Sequence, residues 1–134
     1  MCIAQTQRRF CGALVVCFGM CLLGTGCSSG PRNAPVDAAK AREALRTALD
    51  SWKRGDKVDA LQGATSPIYV IDTEWQSGVT LKDYKITGDG QEMDANLFCP
   101  VSITVRLPNG QETTRAVTYI ISTAPNVTVS RKVL

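Results

Sequence analysis

The chain contains no histidine in 134 residues. Its absence removes the side chain that most often acts as general base near neutral pH and the one that most often binds metal. Cysteine is almost as scarce where it would count. Of six cysteines, Cys2, Cys11, Cys17 and Cys21 sit in the first 26 residues, Cys27 follows directly, and Cys99 stands alone in the rest. If the first segment is removed and Cys27 modified, no internal disulfide can form, and the fold must stand on its core. Charge of one sign is lacking too. The formal net charge is +3, and without Arg8 and Arg9 the balance is 13 basic to 12 acidic side chains, which excludes the basic footprint of a nucleic-acid binder. No apolar run is long enough to span a bilayer: Phe10–Leu23 is 14 residues, about 21 Å as a helix against a hydrocarbon core of about 30 Å. There is no internal repeat, phosphate-binding loop, metal-ligand cluster or nucleophile–base pair. The sequence therefore predicts no catalytic, cofactor or metal site, and no enzymatic activity.

The N-terminal segment is the most specific feature. Arg8 and Arg9 precede an uncharged apolar stretch, Phe10–Leu23, and small residues Gly24-Thr25-Gly26 lead to Cys27. This order is that of a secretory signal. Small residues let an extended backbone enter a peptidase cleft, and a cysteine at the first mature position supplies a thiol that can carry a diacylglyceryl group. Leu22-Leu23-Gly24-Thr25-Gly26-Cys27 resembles the lipobox of bacterial lipoproteins, departing from it at Gly24, where that family has a large aliphatic residue. The resemblance implies a signal peptide over 1–26, lipidation at Cys27, and a bilayer partner held through the acyl chains. No aspartate follows Cys27, so the outer membrane, facing the periplasm, is the expected location. Ser28 to Pro35 reads as a tether reaching at most about 28 Å, and 36–134 as a single domain.

Within that domain Ala41, Ala44, Leu45, Ala48, Leu49 and Trp52 recur at helical spacing. A helix over 37–54 is expected, capped by Asn33 or Asp37, ended by Gly55, and carrying an Asp50–Arg54 pair at i,i+4. Asp56–Gln62 suggests a second short helix capped by Asp56. Ile68–Ile71 reads as a strand or packed extended segment, and Asp72–Gly78 as one capped helical turn. From Leu81 the period becomes two. Strands are expected at about 81–88, 95–107, 111–122 and 126–133. Pro108-Asn109-Gly110 predicts a type I turn with Gly110 left-handed, which sets Leu107 against Gln111, Val101 against Val117 and Cys99 against Tyr119. A helix with one apolar stripe and a sheet with one apolar face cover each other, so the expected class is α+β, with a four-stranded antiparallel meander.

Helix first, then a sheet wrapping it, with Trp52 before Gly55-Asp56, resembles the NTF2-like or cystatin-like architecture. The series Asp72-x-x-Trp75-x-x-Gly78-x-x-Leu81-x-x-Tyr84-x-Ile86, Cys99-Pro100-Val101, Val117-x-Tyr119 and Thr123-x-Pro125-x-Val127-x-Val129-x-Arg131 resembles a group of exported planctomycete proteins, a likeness that carries no assigned activity.

Several residues invite chemistry. Cys99 lies on an apolar strand face with no neighbouring base, which suits a buried small hydrophobe. Asp72 and Glu74 with Tyr69, Tyr84 or Tyr119 have the residue types of an isomerase acid–tyrosine pair, although a helix cap and core tyrosines use the same residues. Asp89, Glu92 and Asp94 carry oxygen donors for calcium, without the spacing of an EF-hand loop. Trp75, on a short helix at the sheet's end, is the expected contact for a ligand or partner if it is more than a lid. Together these features predict a lipid-anchored binding or interaction module facing an envelope protein or peptidoglycan. The alternatives are a small isomerase- or hydrolase-like enzyme with an NTF2-like pocket and a structural envelope lipoprotein.

Overall fold

A computed structural model describes residues 34–133. The expected signal, the lipidation site Cys27 and the alternative cap Asn33 lie outside the described residues.

Helix α1 spans Ala38–Arg54. Asp37 begins it, its carboxylate accepting the Lys40 N–H, and Gly55 ends it at φ 85°, sending its own N–H back to the carbonyls of the last turn. A positive φ costs glycine nothing, so the stop is built into that residue. The buried face is the expected stripe, Ala41, Ala44, Leu45, Ala48, Leu49 and Trp52, joined by Ser51. The expected Asp50–Arg54 pair does not form, because each residue takes another partner. Tyr84 donates to Asp50 at 2.6 Å, and Arg54 pairs with Asp56 at 2.9 Å. The second short helix is a single 3-10 turn, Val58–Leu61, with no side-chain cap. The turn starts one residue later than expected, with Lys57 at the cap position, and the Asp56 carboxylate accepts from Ser51 and Arg54 instead.

The strands are β1 (Ile68–Ile71), β2 (Thr80–Ile86), β3 (Gln91–Met93), β4 (Asn96–Arg106), β5 (Glu112–Ser122) and β6 (Val127–Arg131), with the one-turn helix α2 (Thr73–Gln76) between β1 and β2. The α+β class holds, but the sheet is mixed rather than a four-stranded antiparallel meander. β2, β4, β5 and β6 do pair antiparallel in that order. β1 then adds parallel to β6, Ile68 beside Val127, and β3 pairs with the start of β4. Nothing local in Ile68–Ile71 names a partner 59 residues away. The β3–β4 turn has Asp94 and Ala95 at φ 50° and 61°, a backbone usually marked by Asn-Gly and unmarked here.

The long hairpin has the predicted register: Cys99 opposite Tyr119, Val101 opposite Val117, and the Leu107 N–H on the Gln111 carbonyl. Gly110 is left-handed at φ 83°. Leu97, Cys99, Val101, Ile103 and Val105 point inward and are fully buried, each large aliphatic contributing about 1.5–3 kcal/mol to the core. The alanines of α1 let the helix lie close over them. Gly90 seals the same place, since a Cβ there would sit 2.9 Å from the Cys99 sulfur. Among the described residues no helix is long and apolar enough to cross a membrane.

Candidate functional site

Helix α2 has only four residues, too few to hold itself together in water. It forms because Asp72 caps it and because Trp75 and Glu74 are tied to the sheet. One Asp72 oxygen accepts the backbone N–H groups of Glu74 and Trp75 at 3.0 and 3.2 Å. The other accepts the Tyr119 hydroxyl at 2.7 Å and the Arg131 guanidinium at 2.9 Å. Tyr119 and Arg131 stand opposite each other on β5 and β6, both facing inward. Glu74 pairs with Arg131 and with Arg115. The Arg131 guanidinium also lies over the rings of Trp52 and Tyr119, 5.6 and 5.7 Å from their centroids, a cation–π arrangement. Within this knot only the Arg131 Nε is buried without a partner.

The two tryptophans stack on each other, centroids 5.6 Å apart and planes within 12°. Each ring N–H is spent on a backbone carbonyl, Trp52 on Val79 at 2.7 Å and Trp75 on Asp56 at 2.8 Å. These bonds clamp the C-terminal end of α1, the segment entering the 3-10 turn, and the α2–β2 connection. Between those three pieces lies an open groove of about 390 Å³, whose lining includes Trp52, Trp75, Asp56, Asp59, Gln76 and Thr80. The tryptophans are 2% and 6% exposed, so they form a rigid floor seen along their edges, not open faces for stacking. The rim is polar. Hydrogen bonds from Ser51 and then Arg54 hold the Asp56 carboxyl below its usual range, and Lys57 adds an amine. Such a rim offers carboxylates, an amine, an amide and a hydroxyl, which suits a polar ligand with both donors and acceptors.

Trp75 is thus a lid on the core and a groove residue at once. Asp72 and Tyr119 do meet, but each is 1% exposed, and neither lines the groove or the two smaller clefts. Burial, then the neighbouring Asp72 carboxylate, pushes the Tyr119 hydroxyl well above the ordinary tyrosine range, so it stays a proton donor within the knot. Tyr84 is pushed up to about 12, by burial and by its bond to Asp50, and Tyr69 lies on the outer side of β1, 40% exposed. Cys99 is fully buried, and burial raises its thiol above the usual value. Asp89, Glu92 and Asp94 are not gathered; among the described residues no group of three or more metal-ligating side chains converges. Asp89 instead offers its backbone carbonyl to Arg42.

Arg131, Asp56 and Arg115 are not among the residues that the sequence singles out for the site. A signal existed for the first: Val127, Val129 and Arg131 alternate in phase, so an arginine occupies the third inward position of an apolar strand face. An inward charge at the end of such a series calls for a buried partner. No protein-family model, curated protein or solved structure matches this chain.

Proposed function

We propose that this chain is a lipid-anchored envelope lipoprotein, held at the outer membrane through acylated Cys27, whose folded domain binds a polar ligand in the groove floored by Trp52 and Trp75. The groove carries this reading. It holds about 390 Å³, against about 180 and 230 Å³ for two other clefts among the described residues, and its floor is pinned by two hydrogen bonds and a ring stack. A floor that does not move on binding lowers the ordering cost of capturing a ligand. The anchor is supported by Arg8-Arg9, the apolar stretch and the small residues before Cys27. The start of the folded body also fits: Val36 is buried and the Asp37 N–H bonds Thr123 at 2.9 Å. Only the short 28–35 segment would therefore separate domain from bilayer, confining its ligands to the membrane surface, where peptidoglycan and envelope proteins lie.

The two halves of the proposal have separate tests. Cys27→Ala should abolish acyl labelling and membrane fractionation; a variant that still labels overturns the anchor. Both tryptophans of the chain line the groove, so intrinsic fluorescence reports on its occupancy directly. Titration with soluble peptidoglycan fragments should shift the emission saturably, and Asp59→Lys together with Thr80→Phe should abolish the shift. A shift that survives this filled groove overturns the binding site. No shift with these fragments removes peptidoglycan as the ligand and favours the structural lipoprotein role.

A further inference from the structure

The sheet has two lateral edges, and they are built differently. β2, at one edge, carries Lys82, Asp83 and Lys85 and a bulge between Leu81 and Asp83, the devices that keep an edge from pairing with another strand. β1, at the other edge, reads Ile68-Tyr69-Val70-Ile71, with no charge and no bulge. It pairs with β6 on one side only, and among the described residues no other backbone or side-chain group hydrogen-bonds its main chain. Its inward residues, Ile68 and Val70, are buried, while its outward residues are exposed, Tyr69 at 40% and Ile71 at 59%. Ile71 continues into a lateral row with Ser130, Ile120 and Phe98 on the outer face. Half of the β1 peptide groups point away from β6 and offer donors and acceptors to which an extended strand is complementary.

From this edge we propose that the chain forms a two-fold dimer in which β1 of one copy pairs antiparallel with β1 of the other, joining the two sheets into one. A second copy fits because the edge is self-complementary: it is uncharged, so identical strands meet without repulsion, and a single two-fold axis closes the assembly. The register follows from the side-chain alternation. Directly opposed residues in an antiparallel pair share a face, so the two-fold axis must pass through a residue pair. Centred on Tyr69, it would set Ile71 against Pro67 of the other copy, which has no N–H to give. Centred on Val70, it sets Tyr69 against Ile71 twice, an aromatic–β-branched pair of the kind that stabilises sheets. The axis is normal to the joined sheet, so both α1 helices lie on the same side of it. Both chain segments leading back toward Cys27 then leave from the same layer, as two copies anchored in one leaflet require.

Hydrogen exchange of the full chain in detergent micelles tests this, at low and high protein concentration, with sedimentation equilibrium alongside. Sedimentation should show a monomer–dimer equilibrium, with the amides of 68–71 slowed in the dimer and those of β2 unchanged. Ile71→Lys should weaken dimerisation by about tenfold or more without lowering the melting temperature measured at concentrations where both chains are monomeric. Tyr69→Lys, also at an exposed position, should do the same and guards against one variant failing to fold. Lys85→Ala, on the protected edge, should leave the equilibrium as it is. A chain that stays monomeric at the highest soluble concentration overturns the proposal. So does a dimer whose β1 amides exchange at the monomer rate, or whose equilibrium both lysine variants leave untouched. Protection of β1 in a monomer only when envelope extract is added also overturns it, assigning the edge to another protein's strand.

Discussion

The two covers of the sheet's inner face are held by opposite means. α1 has 17 residues and closes its part of the core with an aliphatic stripe, Ala41, Ala44, Leu45, Ala48 and Leu49, whose burial is indifferent to the direction of approach. α2 has four residues and one apolar side chain facing in, Trp75. It is held by the directional bonds of Asp72, Glu74, Tyr119 and Arg131. A long amphipathic helix can rely on area, because hydrophobic burial adds up residue by residue. A single turn has too little area, so its position is set by a capped carboxylate and a buried arginine. The groove lies beside the second cover, where the geometry is fixed by hydrogen bonds.

Breaking each cover should therefore give different signatures. The largest effect is expected from Asp72→Ala, which removes the α2 cap and leaves Tyr119 and Arg131 facing each other without their shared acceptor. Arg131 keeps Glu74 as a counter-ion, so the cost is that of the lost cap and of the bonds Asp72 accepts from Tyr119 and Arg131, about 3–5 kcal/mol together, read as a lower midpoint in urea unfolding. The same change should loosen the Trp52–Trp75 stack and shift the native tryptophan emission. Leu45→Ala, under α1, should cost about 3 kcal/mol through transfer and cavity terms with the emission unchanged. If Leu45→Ala moves the emission as much as Asp72→Ala does, the two covers are one cooperative unit and the contrast fails. Tyr119→Phe is smaller, about 1–2 kcal/mol, because Arg131 still reaches Asp72.

The last signature is a pH slope. Cys99, Tyr84 and Tyr119 all hold their protons above their ordinary values of 9.0, 10.0 and 10.0. In the unfolded chain they lose them at those ordinary values, so above about pH 9 the unfolded state binds fewer protons and stability falls as pH rises. The decline should begin with Cys99 and steepen from pH 10 to about 12 as Tyr84 joins. Melting temperatures across pH 7–12 check it. Tyr119→Phe should flatten the upper part of the slope and Cys99→Ala the lower part.

Much of this was legible without coordinates where the information was local. The α1 stripe, its Asp37 and Gly55 ends, and the α2 cap at Asp72 each rest on residues within a few positions of one another. So does the hairpin register, which Pro108 and Gly110 set through two backbone angles. The candidate site was only half legible. Trp75 drew notice as a lone tryptophan on a short helix, and Asp72 and Tyr119 as residue types without a geometry. The groove itself depends on Asp56 and Val79 carbonyls taken up by the two indole N–H groups, and no periodicity marks which carbonyl an indole will find.

Local patterning specifies the α+β class, the buried stripe of α1, the inward face of β4 and the pairing of β4 with β5. Periodicity and turn chemistry act over a few residues and leave their mark in the order of side chains. Packing of the whole domain is what sets β1 parallel to β6, brings Asp72 to Tyr119 and Arg131, and floors a groove with a pinned tryptophan pair. Those contacts join residues 19 to 59 positions apart. Their free energy comes from burial and from partners that exist only once the sheet has formed.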